Sequence, residues 1–134
     1  MQRVGVSNAR VRSAVLAALK AEGVRDAMIS VAFVGVTSIA DMSRKYLGHR
    51  GATDVISFGF ARGGKRSGVI GDIYICPEVA RANARSQRVP LTEELLRLVV
   101  HGTLHVVGYD HPHGLDRVKS PMWRRQERIL ARVV

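Results

Sequence analysis

The sequence predicts an α+β fold in one domain spanning 1–134, with a small sheet of about four strands flanked by about five helices. Three observations carry that expectation. Short segments at 3–6, 27–34, 53–60 and 69–76 read as strands, and helical patterns fill the stretches between and after them. Glycine, proline and short polar residues stand at the joints, where caps and stops belong. One helical run, LLRLVVHGTLHVV at 95–107, is nearly apolar and so should cross the middle of the domain.

Taken in order, Arg3 to Val6 fits a short edge strand, and Ser7 then offers its hydroxyl as the N-cap of a helix running through Lys20 to a stop at Gly23. Ala27 to Val34 reads as a strand. Thr37 or Ser38 caps a second helix that reaches about Tyr46, with Gly48 as its stop and 48–52 as a polar loop. Thr53 to Phe60 is extended, ARGGKRSG at 61–68 suits an exposed hairpin connection, and Val69 to Cys76 follows as an antiparallel neighbour. Pro77 sits where a helix tolerates a missing N–H, Glu78 complements that terminus, and the helix runs to about Arg88 with Arg81, Arg85 and Arg88 at helical spacing. Those arginines are either a wet face or a phosphate-binding stripe. After Pro90, Thr92 is the expected cap of the apolar helix, Glu93 and Glu94 occupy its first turn, and Gly108 ends it. A last amphipathic helix from about Asp116 to Arg132 presents Val118, Met122, Ile129 and Leu130 for packing, with Trp123 as an anchor. No internal repeat or second domain is visible.

Of the 134 residues, 46% are hydrophobic and 24% charged, a composition that excludes disordered and fibrous classes. No run approaches the roughly 20 apolar residues of a membrane helix, and the N-terminal segment lacks the apolar core of a secretory signal, so a cytoplasmic location is expected. Cys76 is the single cysteine, which leaves no disulfide partner within the chain and suits a core position. Twenty-one Lys and Arg against eleven Asp and Glu give a net charge of +10. That excess points to a polyanionic partner, and to nucleic acid before a membrane surface because no basic segment carries a continuous apolar face.

His101 and His105 are four residues apart on the apolar helix, so their side chains leave one face about one turn apart. Gly108 lets the backbone leave the helix and bring His111 toward the same point, in the pattern H-x-x-x-H-x-x-G-x-x-H. A lone histidine on an apolar helix is usually a satisfied core residue, but three in this spacing point to one metal ion, with zinc as the expected Zn2+ cofactor, one per chain. Three nitrogens leave a fourth tetrahedral position for water, the open arrangement of a catalytic site. His113 competes with His111 for the third place, although Pro112 between them restricts the geometry. Zinc peptidases carry a glutamate general base after the first histidine, and here Gly102 occupies that place, so peptidase action is disfavoured. Gly102 either admits a bulkier substrate or allows close helix packing, and packing is the plainer reading.

HGTLHVVGYDH at 101–111 resembles the signature of the YbeY family of metal-dependent endoribonucleases. TDVISF at 53–58, GDIYIC at 71–76 and the Met122, Glu127, Ile129, Leu130 pattern follow in the family's order, so the resemblance covers nearly the whole chain. It implies a sheet of about four strands flanked by helices and three histidines holding zinc. It also implies a single-strand-specific endoribonuclease in 3′-end maturation of small-subunit (16S) rRNA and ribosome quality control, with rRNA and ribosomal small-subunit proteins as partners. One position departs from the pattern. Many members carry Tyr-Arg-Gly-Lys-Asp before Thr-Asp-Val, and here the family arginine is replaced by Leu47, which follows Tyr46.

The mechanism expected from these residues is zinc-assisted hydrolysis of a phosphodiester, with a cation stabilising the developing charge. Arg50 is the first candidate for that cation and Arg44 the second. RNA-binding side chains are expected from Arg44, Lys45 and Arg50 and from Arg62, Lys65 and Arg66 of the basic loop. Asp110 and Asp72 are candidates for orienting a ligand imidazole, and Asp54 is ambiguous between a site role and a turn role. Two rival classes stay open: a zinc hydrolase of another substrate, and a non-catalytic ribosome-binding protein with structural zinc. A fourth protein ligand from His113 or Asp110 would favour the second rival.

Overall fold

In the computed structural model, residues 5–60, 68–108 and 120–134 are described. Ser7 starts the first helix, α1 (Asn8–Ala21), by accepting a hydrogen bond on its side-chain oxygen from the Arg10 N–H at 3.2 Å. Strand β1 (Ala27–Phe33) follows, then α2 (Val36–Met42). The cap of α2 is Gly35, not Thr37 or Ser38: its carbonyl accepts the Ile39 N–H at 3.0 Å, and no side chain caps the helix. Past Met42 the chain widens into a π-helical turn, Ser43–Leu47, which Gly48 closes with φ of 69°. Strands β2 (Val55–Phe60) and β3 (Val69–Ile75) then lead into α3 (Pro77–Gln87), α4 (Leu91–Val106) and α5 (Pro121–Val133).

Among the described residues the sheet has three strands, one fewer than expected, in the order β1-β3-β2. Central β3 pairs parallel with β1 and antiparallel with β2, the latter in the register Gly59↔Gly71 and Ser57↔Ile73. Arg3 and Val4 of the expected edge strand lie outside the described residues, and Gly5 and Val6 form no strand. Gly5 instead turns with φ of 101° and its carbonyl accepts the Thr92 hydroxyl at 2.8 Å. Thr92 is thus occupied away from the helix end, and Pro90 takes the N-cap place of α4 without a side-chain bond.

The core gathers α1, α3, α5 and one face of the sheet around α4, with Leu95, Leu96, Val99, Val100 and Leu104 fully enclosed. A glycine in α4 and two in the sheet set how closely helix and sheet approach. A Cβ on Gly102 would stand 2.7 Å from Cγ2 of Ile73, one on Gly59 would stand 3.1 Å from the Val106 carbonyl oxygen, and one on Gly71 would overlap the Val106 side chain. Their absence lets the C-terminal half of α4 press onto β2 and β3. A second, smaller cluster of Ile39, Ile56 and Cys76 sits on the other face of the sheet, beneath α2. Cys76 is buried and free, as expected of a core residue.

Candidate metal and active site

The face of α4 that carries Arg97 and His101 meets α5 through Glu127 and Gln126, and His105 follows one turn further along the helix. His101 and His105 rings lie with centroids 4.7 Å apart, inclined at 74°. His101 Nδ1 is 2.7 Å from Oε1 of Gln126 on α5. Gln126 is 1% exposed, and its amide N–H donates to Glu127 Oε2 at 2.9 Å. That second bond fixes which end of the amide faces the imidazole, because turning the amide over would set oxygen against carboxylate. An amide oxygen only accepts, so His101 donates from Nδ1, and in the neutral imidazole this leaves Nε2 as the nitrogen with the lone pair.

Behind this pair lies a charge cluster in which Glu94 is buried and Arg97, Glu93 and Glu127 are partly buried. Arg97 donates through Nε to Glu127 Oε2 at 3.1 Å, through Nη1 to Glu94 Oε1 at 2.7 Å and through Nη2 to Glu93 Oε2 at 3.2 Å. Burial works against the Arg97 cation, yet its hydrogen bonds to Glu127 and Glu94 outweigh that and hold its pKa above the ordinary value. The Glu94 carboxyl is pushed up by burial, with the hydrogen bond and charge of Arg97 opposing and the charges of Asp54 and Glu127 adding to the rise.

Other expected residues fall elsewhere. Asp72 does not orient an imidazole: it accepts the Ser30 hydroxyl at 2.5 Å, and strand alternation from Gly71 and Ile73 places it on the sheet face away from α4. Asp54 accepts from Asn83 Nδ2 at 2.9 Å while its carbonyl accepts the Cys76 N–H at 2.9 Å, so it ties the entry of β2 to β3 and α3. The contact between Gly102 and Ile73 supports the packing reading of that glycine. Arg44, Lys45 and Leu47 are exposed on the π-helical turn, with Arg44 held to Asp41 at 3.3 Å, and Arg50 is exposed in the loop beyond it. The turn packs through Tyr46 against Phe58, centroids 5.5 Å apart, on the face of β2 opposite α4. The basic turn and the histidine helix thus lie on opposite faces of the edge strand β2. His111, His113, Asp110, Arg62, Lys65 and Arg66 lie outside the described residues. A cavity of about 480 Å³ opens between α1 and β1, lined by Val15, Leu19, Ile29, Val31 and Phe33 among others, and includes neither histidine.

Gln126 was not singled out from the sequence. The signal was present: it shares the inward stripe of α5 with Met122, Ile129 and Leu130, and a polar side chain at such a position needs a partner.

A model of the family described as Endoribonuclease YbeY matches residues 3–134. This chain belongs to the YbeY endoribonuclease family. The endoribonuclease YbeY of Syntrophus aciditrophicus is 30% identical over 131 residues, 96% of this chain and 82% of that protein. The endoribonuclease YbeY of Chlorobaculum parvum is 33% identical over 128 residues, 96% of this chain and 87% of that protein. The solution structure of a Thermotoga maritima protein matches with a TM-score of 0.62 at 25% identity, covering 96% of this chain and 85% of that one. As a YbeY-family endoribonuclease the chain is a hydrolase, and RNA is the substrate class that its family acts on. Among the described residues no helix is long and apolar enough to cross a membrane.

Proposed function

We propose that this YbeY-family protein is a zinc-dependent, single-strand-specific endoribonuclease acting in 3′-end maturation of small-subunit rRNA and in ribosome quality control. The observation that carries the metal reading is the pairing of His101 and His105 on one face of α4 while His101 Nδ1 is committed to Gln126. The donor set fits zinc. Neutral imidazole nitrogens suit it, and a ligand histidine characteristically gives its other ring N–H to an acceptor, as His101 gives its own to Gln126. His101, His105 and His111 would hold the ion. When bound, zinc supplies Lewis acidity, drawing the pKa of water down toward roughly 7.

The chain's own residues supply binding and charge. Arg44, Lys45 and Arg50, with Arg62, Lys65 and Arg66 of the basic loop, would neutralise the phosphates of a single strand, in keeping with the net charge of +10. Arg50, or Arg44 in its place, would stabilise the charge that builds on the phosphoryl oxygens. A cytoplasmic ribosome is the partner that this charge and substrate class fit.

The test is cleavage of a fluorescent single-stranded RNA by purified protein of measured zinc content, beside His105→Ala and a chelator-treated sample. Cutting by the intact protein and by neither control is expected. About one zinc per chain with no cleavage of any RNA would sink the nuclease reading and favour a binding module.

A further inference from the structure

We propose that Gln126 is the positioning residue of the histidine site, setting the tautomer and ring angle of His101, with the Arg97 carboxylate cluster as its anchor. The inference rests on the reading of His101 as a metal ligand. Gln126 lies one helix away from the histidines, is 1% exposed, and uses its side chain in both directions at once. Its oxygen takes the His101 Nδ1 proton at 2.7 Å and its amide N–H is spent on Glu127 at 2.9 Å. Glu127 is itself held by Arg97 at 3.1 Å, and Arg97 by Glu94 at 2.7 Å and Glu93 at 3.2 Å.

The consequence is a relay in which each member restricts the next. Arg97 and Glu94 belong to α4 itself, so the relay starts on the helix that carries the histidines, crosses to α5, and returns to His101. Its effect at the imidazole is specific: Nδ1 is protonated and Nε2 carries the lone pair before any metal arrives. Without the amide this contact no longer favours Nδ1–H, and the opposite tautomer carries an Nε2–H that must be surrendered before that nitrogen can bind. The acceptor is a neutral amide rather than the carboxylate found behind many ligand histidines. The negative charge stands one residue further back, on Glu127, where Arg97 pairs with it.

The test uses side-chain 15N NMR on the intact, metal-free protein, with His101 assigned by its loss in His101→Ala, and zinc affinity measured by chelator competition. Wild type is expected to show His101 in the Nδ1–H form. Gln126→Met, which keeps the bulk and deletes both hydrogen bonds, should shift His101 toward a mixed tautomer and weaken zinc binding by about 10- to 100-fold. Gln126→Glu keeps an acceptor for Nδ1–H but turns its other oxygen on Glu127, so it is paired with Glu127→Gln, and the double variant should keep the Nδ1–H form. An Nε2–H resonance for His101 in the wild-type protein overturns the proposal without any variant, and so does a Gln126→Met protein with unchanged tautomer and zinc affinity. Failure of the metal reading looks different: wild type then binds no zinc, while the tautomer still responds to Gln126→Met.

Discussion

His101 Nδ1 and Gln126 Oε1 meet at 2.7 Å across the boundary between α4 and α5, 25 residues apart in the chain. The contact makes α5 part of the histidine site as well as a cover for the core. It also explains why a glutamine survives at an inward position between Met122 and Ile129: its polar atoms are satisfied on both sides, so its burial carries little penalty.

Gly102 separates the histidine-bearing turns of α4 from Ile73 by no more than a missing methyl group. Gly102→Ala would place Cβ 2.7 Å from Ile73 Cγ2, and Ile73 is fully buried with nowhere to retreat. Helix and sheet must move apart, at a cost of about 1–3 kcal/mol that exceeds alanine's gain in helix propensity. Chemical denaturation should show this loss. A Gly102→Ala protein as stable as wild type would mean that the helix slides without resistance.

The same contact shows which parts of the molecule local pattern can disclose. His101 and His105 were legible because a four-residue spacing on a helix is a geometric guarantee, and Ser7, Pro77 and Gly48 were legible because caps and stops act within a few residues. Thr92 was misread as a cap because its hydroxyl partner, the Gly5 carbonyl, lies 87 residues away. Asp72 looked like a candidate second partner of a histidine, and Ser30, 42 residues distant, claims it instead. Gln126 escaped notice for the same reason: its meaning depends on what α5 faces, and sequence periodicity reports only that it faces inward.

Arg97 has a 13% exposed side chain and is shared by three carboxylates. Replacing it with methionine keeps most of the bulk but leaves Glu94, whose side chain is 4% exposed, without its counter-charge. The expected loss is about 3 kcal/mol or more, since breaking a buried pair leaves a desolvated charge behind. Denaturant unfolding of Arg97→Met measures it. The double variant Arg97→Met, Glu94→Gln should recover part of the loss, and no recovery would place the cost elsewhere.

Glu94 gives a pH dependence whose sign follows from its raised pKa. In the unfolded chain it titrates near 4.5, and in the folded protein burial moves it higher. Below 4.5 both states hold the proton. As pH rises past that point the unfolded state releases it first, so the native state binds more protons and the group's contribution to stability falls until its folded pKa is passed. Glu94→Gln removes this descent. The stability of wild type minus that of Glu94→Gln should therefore decrease with rising pH from 4.5 upward, measured by urea unfolding across the range. A difference that grows with pH would contradict the assigned direction.

Leu47, the position at which the family resemblance leads one to expect arginine, is 45% exposed at the end of the π-helical turn. Nothing packs it in so tightly that a longer side chain would be excluded. Restoring the charge with Leu47→Arg should leave stability within about 0.5 kcal/mol, as exposed substitutions do. Its effect belongs on RNA. One more cation beside Arg44 and Lys45 should tighten single-strand binding and steepen its salt dependence by roughly one phosphate contact. If the cation also reaches the scissile phosphate, kcat rises along with affinity, and if it only holds the strand, KM falls while kcat stays put. Steady-state cleavage of a short RNA by Leu47→Arg, at two salt concentrations, separates the two roles. No change in either constant would show that this turn stands clear of the bound strand, and Arg44 and Lys45 would then lose their assignment with it.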